Sequence, residues 1–425
     1  MDVSIDTEAL AALRRDLHAH PEPAWREFYT TARLVDELER RPLDALYVGA
    51  EILDGERSGV PDDADLGAWR DRALAAGARE DVVDRLDGGY TGLLAVLERG
   101  DGPVVGVRVD IDALPITEAE DDDHAPAREG FRSENEGYMH ACGHDAHAAI
   151  GVGVIDAILD SEFAGTLKLL FQPAEEVVGG GAPVARSGRL DDVDALFAVH
   201  VGLDHPTGEV VAGVGGFLAV QDFEAEFSGE SAHAGGHPER GRHAVQAMAT
   251  AVTNLHAIPR HGDGATRVNA GRVEGGTANN VIPDHARIVG EARGETTALM
   301  EYVDDHVERI VHAAAEMHDC EARVTRGSRA PSAESDPDLA ALVADAARAT
   351  DGVTSVLDAD DLGGSEDATY LMRRVQERGG RAAYVAVGTD HPGGHHTPRF
   401  DVDEASLPVA VGVLTRAIHA VGISY

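Results

Sequence analysis

Several residue types are scarce in this sequence, and each scarcity narrows the class of protein. Only two cysteines, Cys142 and Cys320, occur in 425 residues, which excludes a disulfide-stapled framework. Aromatic residues make up 4% of the chain against 43% hydrophobic residues, so the cores must consist mainly of Ala, Val, Leu and Ile. Lysine is almost missing, since Lys168 is the single lysine among 36 basic residues.

Positive charge is also in short supply. The chain carries 36 basic and 76 acidic residues, a formal net charge of −40. A field of that sign repels nucleic acids and anionic membranes, so we expect neither as a partner. The acidic residues are spread along the chain, which is compatible with an ordinary acidic protein of the cytosol. We favour adaptation to high salt, where dense carboxylates keep the surface hydrated and their repulsion is screened.

Targeting and membrane segments are not apparent. The stretch Met1–Leu10 is acidic and lacks the pattern of a signal peptide. The longest apolar stretch, Ala146–Leu159, is too short to span a bilayer and contains Asp156. We therefore expect a soluble, cytoplasmic protein.

The order of apolar segments predicts an α/β protein with two domains. A chain of 425 residues exceeds what one compact domain usually needs. Apolar strands alternate with helices over residues 1–214 and 328–425, which predicts a mostly parallel sheet covered on both faces. Residues 215–327 follow the order β-α-β-β-α-β, which predicts a small ferredoxin-like domain inserted into the large one. The charged, glycine-rich segment Ala50–Gly89 is interpreted as a further insertion.

Two motifs carry most of the chemistry. The first surrounds Cys142 with three histidines, His140, His144 and His147, directly before a predicted helix; thiolate and imidazole are good ligands for zinc-like cations. The second places Glu175 and Glu176 after a predicted strand, where ligands gather in α/β sheets. One of these carboxylates could bind metal while the other moves protons, although such a pair is also common in solvated loops.

Three further positions could contribute. His200 ends a predicted strand, where a histidine is as often structural as functional. His395 and His396 lie on a glycine-rich loop that a metal would anchor. Asp112, together with Asp110, follows a strand and could orient a metal-binding imidazole or cap a helix. Jointly these groups could hold two cations about 3.5–4 Å apart and leave one carboxylate free as a base.

These residues resemble a known family, the metal-dependent amidohydrolases that include aminoacylases, hippurate hydrolases and auxin-conjugate hydrolases. The resemblance rests on the motifs around Cys142, Glu175, His200 and His396, and on two others. These are the opening Arg14-Arg-Asp-Leu-His-Ala-His-Pro-Glu22 and the segment Gly275-Gly-Thr-Ala-Asn-Asn-Val-Ile-Pro283. Nearly the whole chain, including the insertion, is similar to the subgroup that hydrolyses p-aminobenzoyl-glutamate.

The resemblance implies roles for individual residues. Cys142, His144, Glu176, His200 and His396 would be metal ligands, with Cys142 bridging the two ions and His395 as an alternative ligand. Glu175 would be the general base. In relatives the smaller domain forms the dimer contact and a lid, His233 reaches the partner's active site, and Asn280 contacts the substrate. Thr397-Pro398 departs from the more polar residues of the subgroup.

The implied activity is hydrolysis of an N-acyl or N-aroyl amino acid by metal-activated water, with p-aminobenzoyl-glutamate as the expected substrate. The ligand types suit both Zn²⁺ and Mn²⁺, and the partner could be a second copy or a related subunit. A thiol hydrolase that uses Cys142 as nucleophile is a competing enzyme class, and a non-catalytic metal-binding homologue is a competing class outside enzymes. The sequence contains no Gly-x-Ser-x-Gly elbow, which disfavours a serine hydrolase.

Overall fold

A computed structural model describes residues 5–424. The chain forms two compact units. The large unit contains the chain up to Gly215, Ala333–Leu362 and the chain from Asp367 onward. The small unit contains Gly216–Ser332 and Gly363–Glu366.

The strands of the described part are, in chain order, β1 (Ala45–Val48), β2 (Leu93–Glu98), β3 (Val104–Asp110), β4 (Thr166–Gln172), β5 (Ala195–Val201), β6 (Glu209–Val211), β7 (Val214–Gly215), β8 (Ala219–Ser228), β9 (Thr266–Gly275), β10 (His285–Gly294), β11 (Glu321–Ala330), β12 (Ser355–Leu357), β13 (Asp360–Asp361) and β14 (Arg381–Val387). The α-helices there are α1 (Thr7–Ala19), α2 (Phe28–Leu38), α3 (Asp63–Ala75), α4 (Glu80–Val83), α5 (Ala125–Glu129), α6 (His144–Leu159), α7 (Gly181–Arg186), α8 (Ala244–Leu255), α9 (Thr297–Met317), α10 (Pro337–Arg348), α11 (Ala368–Glu377) and α12 (Ser406–Ser424).

The large unit is built on a mixed sheet with the strand order β1-β2-β4-β3-β5-β14-β6-β12. Its four central strands, β4, β3, β5 and β14, are parallel. Strands β1, β2 and β6 pair antiparallel to their neighbours on the central side. The short strands β7 and β13 form a separate parallel pair.

The prediction of a mostly parallel sheet therefore describes the centre, whereas the flanks are mixed, with β12 parallel to β6 at one edge. The cause lies in two short connections. Residues 99–103 join β2 to β3, and residues 202–208 join β5 to β6. Parallel strands of one sheet need a crossover of a dozen or more residues, so each of these short connections reverses the direction of the chain.

Helices cover both faces of the central strands because side chains alternate along a strand. Val105, Val107 and Val109 of β3 belong to one apolar core with residues of α1, α6, α10 and α12. Helix α11 packs on β5 and β14 and also contacts α7. Helix α6 is buried along nearly its whole length, which fixes its first turn at the carboxyl ends of the strands.

Among the residues that the structure describes, one helix, α12, has the length and apolarity of a membrane span, with a mean hydropathy of 1.5 over Ser406–Ile423. Two thirds of that window (67%) is buried within the protein, against α6 and α10. Its apolarity is thus used in packing.

The small unit has the observed order β8-α8-β9-β10-α9-β11, and its antiparallel sheet has the strand order β11-β8-β10-β9. Burial alternates along β8, and Phe223, Ala225 and Phe227 pack with α8 and α9. The sequence-based boundary at residue 327 is too early. Strand β11 keeps pairing with β8 as far as Ala330.

Candidate active site

The candidate site lies where the central parallel strands end. Asp110 ends β3, Glu175 and Glu176 follow β4, and His200 lies near the end of β5. Parallel neighbouring strands end at the same edge of a sheet, so these groups converge. Cys142 lies just before α6, and His144 begins that helix.

The side chains converge closely enough to hold cations. Three groups have one ligand atom per residue within 4.8 Å of the others: Cys142, His144 and His200; Cys142, Glu176 and His396; and His144, Glu175 and Glu176. All five residues predicted as metal ligands appear in these groups. Asp110, His144 and His147 form a further group of this kind.

His144 is buried among three carboxylates. It is 1% exposed, and its ring nitrogens lie 3.5 Å from Asp110, 3.4 Å from Asp112 and 3.9 Å from Glu176. Burial lowers its pKa, but the nearby carboxylates of Asp110 and Asp112 outweigh burial and raise it well above the usual value. A position that favours a charged imidazole also favours a bound cation.

His200 and Cys142 present their donor atoms to each other. The Nδ1 of His200 lies 2.7 Å from the carbonyl oxygen of Val201, so Nδ1–H donates there and Nε2 keeps its lone pair. That Nε2 lies 3.5 Å from Cys142 Sγ. Burial raises the pKa of the Cys142 thiol, and burial lowers the pKa of His200 well below its usual value. A thiol of this kind releases its proton when it binds a cation.

Asp112 joins the first motif to the second. Its carboxylate lies beside His144 and accepts the backbone N–H groups of Glu175 and Glu176, both at 3.0 Å. Of the two sequence-based interpretations, capping of a helix is wrong, because the amides that Asp112 accepts belong to the loop after β4. Asp112 Oδ1 lies 3.4 Å from His144 Nδ1, and the orienting role stays a prediction.

His147 is engaged away from the convergent donors. Its Nδ1 contacts the Asp110 carboxylate, and its Nε2 accepts the N–H of Val201 at 2.8 Å. Asp110 is further held by Arg108 at 2.7 Å. Burial raises its pKa, but the charges of His144 and Arg108 outweigh burial and hold it well below the usual value. His147 and Asp110 therefore brace the end of β5 against β3.

The loop between β14 and α12 carries two neighbouring histidines, His395 and His396, with different contacts. The Nε2 of His396 lies 3.7 Å from Glu176, and its backbone N–H donates to the carbonyl of Ala141 at 2.8 Å. The Nε2 of His395 accepts the N–H of Leu203 at 3.0 Å, and its Nδ1 lies 3.5 Å from Cys142 Sγ. His396 thus reaches the carboxylate side of the cluster, whereas one nitrogen of His395 is already used by the backbone.

A buried charged network behind the cluster was not predicted. His18 lies between Asp145, at 2.8 Å, and Glu118, at 2.9 Å, and Arg14 donates to Asp145 at 2.9 Å. Burial and Arg14 lower the pKa of His18, but these carboxylates outweigh them and raise it to about 9. The sequence offers one indication, since Arg14 and His18 are four residues apart on one helix face.

In the small unit, the two residues predicted to contact substrate or partner are neighbours. The segments around His233 and Val281 form a β-bridge, and Ala234 donates its N–H to the carbonyl of Asn280 at 3.0 Å. Both His233 and Asn280 are exposed. The Nδ1 of His233 accepts the N–H groups of Gly235 at 3.1 Å and Gly236 at 3.0 Å. The proton of the neutral ring is therefore on Nε2, which makes it an exposed donor.

Comparison with known proteins gives close relatives over almost the full length. The indole-3-acetyl-aspartic acid hydrolase of Enterobacter agglomerans is 40% identical over 94% of this chain and 93% of its own. One subunit of the p-aminobenzoyl-glutamate hydrolase of Escherichia coli is also 40% identical, over 96% of this chain and 94% of its own.

Solved structures agree with these relatives. An aminobenzoyl-glutamate utilization protein from Klebsiella pneumoniae has a TM-score of 0.81 at 35% identity, covering 97% of this chain and 96% of its own. A dinuclear metal-binding peptidase from Bacillus subtilis has a TM-score of 0.71 at 27% identity, covering 99% of both chains. The model of peptidase family M20/M25/M40 matches residues 106–420. The chain belongs to peptidase family M20/M25/M40.

Proposed function

We propose that this enzyme hydrolyses the amide bond of an N-aroyl or N-acyl amino acid, with p-aminobenzoyl-glutamate as its substrate and two divalent cations at the site. The observation that carries the proposal is the convergence of Cys142, His144, Glu176, His200 and His396 in overlapping clusters, one of which also contains Glu175. The relatives named for p-aminobenzoyl-glutamate and indole-3-acetyl-aspartate support an acidic amino acid as the leaving group.

The donor set fits a two-cation centre. A thiol, imidazoles and carboxylates lie within one small region, and the neighbourhood of His144 favours positive charge. Cys142, His144, His200, Glu176 and His396 would hold the two ions, and Cys142 belongs to both of the clusters that contain His200 and His396. When bound, two such cations supply an activated water and polarise the amide carbonyl. Zn²⁺ and Mn²⁺ both suit these donors.

Glu175 is assigned as the general base. Its carboxylate belongs to the cluster with His144 and Glu176, and Asp112 holds its backbone N–H. In this role a carboxylate oxygen of Glu175 accepts the proton of the attacking water and then delivers it to the leaving nitrogen. Asp112 positions both the loop and the His144 ring.

His233 is assigned as the donor to the developing oxyanion, and Asn280 as a substrate contact. The exposed Nε2–H of His233 suits that task, because a preorganised N–H stabilises negative charge that appears in the transition state. We further propose that the small unit is the lid and dimerisation domain, and that His233 acts in the partner's site. The partner is a second copy or, alternatively, a related subunit, in the cytoplasm of a cell adapted to high salt.

The test is a substrate panel with controlled metal content. Chelated, verified metal-free protein should be inactive, and Mn²⁺ or Zn²⁺ should restore turnover. We expect p-aminobenzoyl-glutamate to be cleaved with a higher kcat/KM than hippurate, indole-3-acetyl-aspartate or N-acetyl amino acids.

The other outcomes of this panel distinguish the alternative functions. Preference for hippurate or an N-acetyl amino acid would indicate that the enzyme is a hydrolase of the aminoacylase or hippurate type. Full turnover without metal would contradict the two-metal proposal and favour the thiol hydrolase. A metal-loaded protein that cleaves none of the panel would support the non-catalytic alternative.

A further inference from the structure

The loop that carries Glu175 and Glu176 has a strained backbone. Ala174 and Val178, on either side of the pair, both lie in the left-handed region, with φ of 58° and 53°. Residues with a Cβ rarely adopt this conformation, and a β-branched residue such as Val178 almost never does. Such a conformation persists only where the surrounding structure holds it in place.

Two buried carboxylates hold three successive amides of this loop. Ala174 donates its N–H to Glu27 Oε1 at 2.8 Å. Glu175 and Glu176 donate theirs to the two oxygens of Asp112, each at 3.0 Å. Glu27 and Asp112 together therefore fix the backbone of the proposed base at three consecutive amides.

Glu27 is itself fixed. It is 0% exposed and immediately precedes α2, so the helix dipole favours negative charge there. Its Oε2 accepts the hydroxyl of Thr91 at 2.6 Å. Gly92 permits this arrangement, because its φ is +84° and a Cβ there would lie 2.5 Å from Pro173 Cδ. The start of β2 can thus approach the loop closely enough for Thr91 to hold Glu27.

We propose that Glu27 is a positioning residue for the general base, which sets the place of Glu175 by holding the amide of Ala174. This inference rests on the proposed function, in which Glu175 moves the proton. Glu27 acts through the backbone and has no direct part in the reaction. Because a misplacement of about 1 Å at a reacting group can lower a rate roughly a hundredfold, the hold is expected to affect turnover more than substrate binding.

The hydrogen bonds of Glu27 are compatible with either protonation state. Burial, followed by the charge of Asp112, raises the pKa of Glu27 to about 8. When Glu27 is protonated, Oε2–H can donate to the Thr91 hydroxyl while Oε1 still accepts from Ala174. A glutamine in the same place can make both bonds, since its amide NH₂ replaces the Oε2 hydroxyl.

Glu22 offers a matched control in the same region. It is 1% exposed, and its two oxygens accept the N–H groups of Tyr29, at 2.8 Å, and Thr30, at 2.9 Å, in the first turn of α2. Its pKa is raised to about 8 by burial, as for Glu27. Loss of Glu22 should therefore remove a buried carboxylate from the same region and destabilise the start of α2 without releasing Ala174.

The experiment compares Glu27→Leu, Glu27→Gln and Glu22→Leu in metal-loaded enzyme. For Glu27→Leu we expect kcat to fall roughly 10–100-fold with KM changed by less than about threefold. Bound metal should be retained, and hydrogen exchange in the peptide containing residues 173–176 should become faster. Glu27→Gln should recover most of the turnover that Glu27→Leu loses. Glu22→Leu should lower the unfolding temperature but keep kcat and the exchange rate of that peptide.

Wild-type kcat and exchange in Glu27→Leu would overturn the inference, as would an equal loss of kcat in Glu22→Leu. If Glu27→Leu does not fold, Thr91→Val serves instead, because it removes the group that holds Oε2. It should lower kcat severalfold and speed the same exchange, and no change in either would also overturn the inference. Glu175→Gln separates the two proposals, since a fully active Glu175→Gln enzyme contradicts the proposed function itself, whatever Glu27 does.

Discussion

At the scale of single residues, two adjacent glutamates have different surroundings. The carboxylate of Glu176 lies 3.9 Å from His144 Nε2 and 3.7 Å from His396 Nε2, between two proposed ligands. Glu175 shares a cluster with His144 and Glu176, and His396 is not part of that cluster. The two carboxylates therefore have different neighbours, which allows one to bind metal and the next to move protons.

Substitution of each glutamate by glutamine should separate these roles. Glu175→Gln should keep its metal and lose most turnover, because general-base catalysis contributes about 10²–10⁴-fold. Glu176→Gln should instead lose metal, because an amide is a poorer ligand than a carboxylate. Metal analysis and kcat of both purified variants provide the check, and the reverse pattern would mean that the two assignments must be exchanged.

The buried His18 gives a prediction for pH. Its pKa is raised from 6.5 to about 9 in the folded protein. A raised pKa stabilises the fold fully below about 6.5, and this stabilisation is lost as the pH rises through about 9. Relative to His18→Gln, the wild-type protein should therefore lose up to about 3 kcal/mol of unfolding free energy over that window. Urea unfolding of both proteins at pH 6 and 9.5 measures this loss. An equal change of unfolding free energy between the two pH values in both proteins would contradict it.

At the scale of elements, α6 decides where the histidine motif lies. Its first turn carries His144, and its length packs between α1 and α12. The approach is close at Gly153, where a Cβ would lie 2.7 Å from Val411 and 2.9 Å from Leu10. Small residues in α6 thus let the helices around the core come together and hold the first turn at the end of the sheet.

The same substitution in two helices tests this packing. Gly153→Ala should destabilise the protein by about 1–3 kcal/mol, because the added methyl overpacks the contact with Val411 and Leu10. Gly67→Ala in α3 should stabilise it by about 0.5–1 kcal/mol, because no other atom lies within 4 Å of the added methyl and alanine favours the helix. Thermal or urea unfolding compares the stabilities of the two variants. A similar stabilisation of both would show that helix propensity alone decides.

At the scale of the whole molecule, the net charge of −40 predicts a dependence on salt. The Debye length falls from about 10 Å at 0.1 M salt to about 3 Å at 1 M, so self-repulsion is screened at high ionic strength. The unfolding temperature should therefore rise with KCl over the molar range. Sucrose at equal osmolality is the control, because it stabilises by exclusion without screening charge. A flat or falling profile in KCl would contradict adaptation to salt.

A dimer in which His233 serves the neighbouring site predicts complementation. His233→Ala alone should be nearly inactive while it retains metal, and Glu175→Ala alone should also be inactive. Mixed dimers of the two variants have one site with Glu175 from one chain and His233 from the other, so activity should reappear on co-expression. Differential tags verify the mixed dimers, and dimers as inactive as their parents would place His233 in its own chain's site or outside the reaction.

The sequence by itself determined what depends on local pattern. Helical periodicity predicts α1, α6 and α9 over Glu8–His18, Asp145–Leu159 and Thr297–Met317. Runs of apolar residues predict β3, β4 and β5 over Val104–Val109, Thr166–Phe171 and Ala195–His200. All these ends lie within two residues of those observed. The positions of Cys142, His144, Glu175, Glu176 and His200 at strand or helix ends follow from the same pattern. Parallel strands that end at one edge then bring these residues together.

Only the tertiary structure decided which distant groups hold one another. Glu27 lies 147 residues before the Ala174 amide that it binds, and Arg14 lies 131 residues before Asp145. The contrast between His395 and His396 likewise depends on Leu203, which approaches the late loop only in the folded chain. Periodicity reports which face of an element is buried, whereas the partner of a buried charge is set by packing between elements far apart in sequence. The contact of Glu27 carries no sequence signal for this reason, although Glu27 is a buried carboxylate that holds an amide of the proposed catalytic loop.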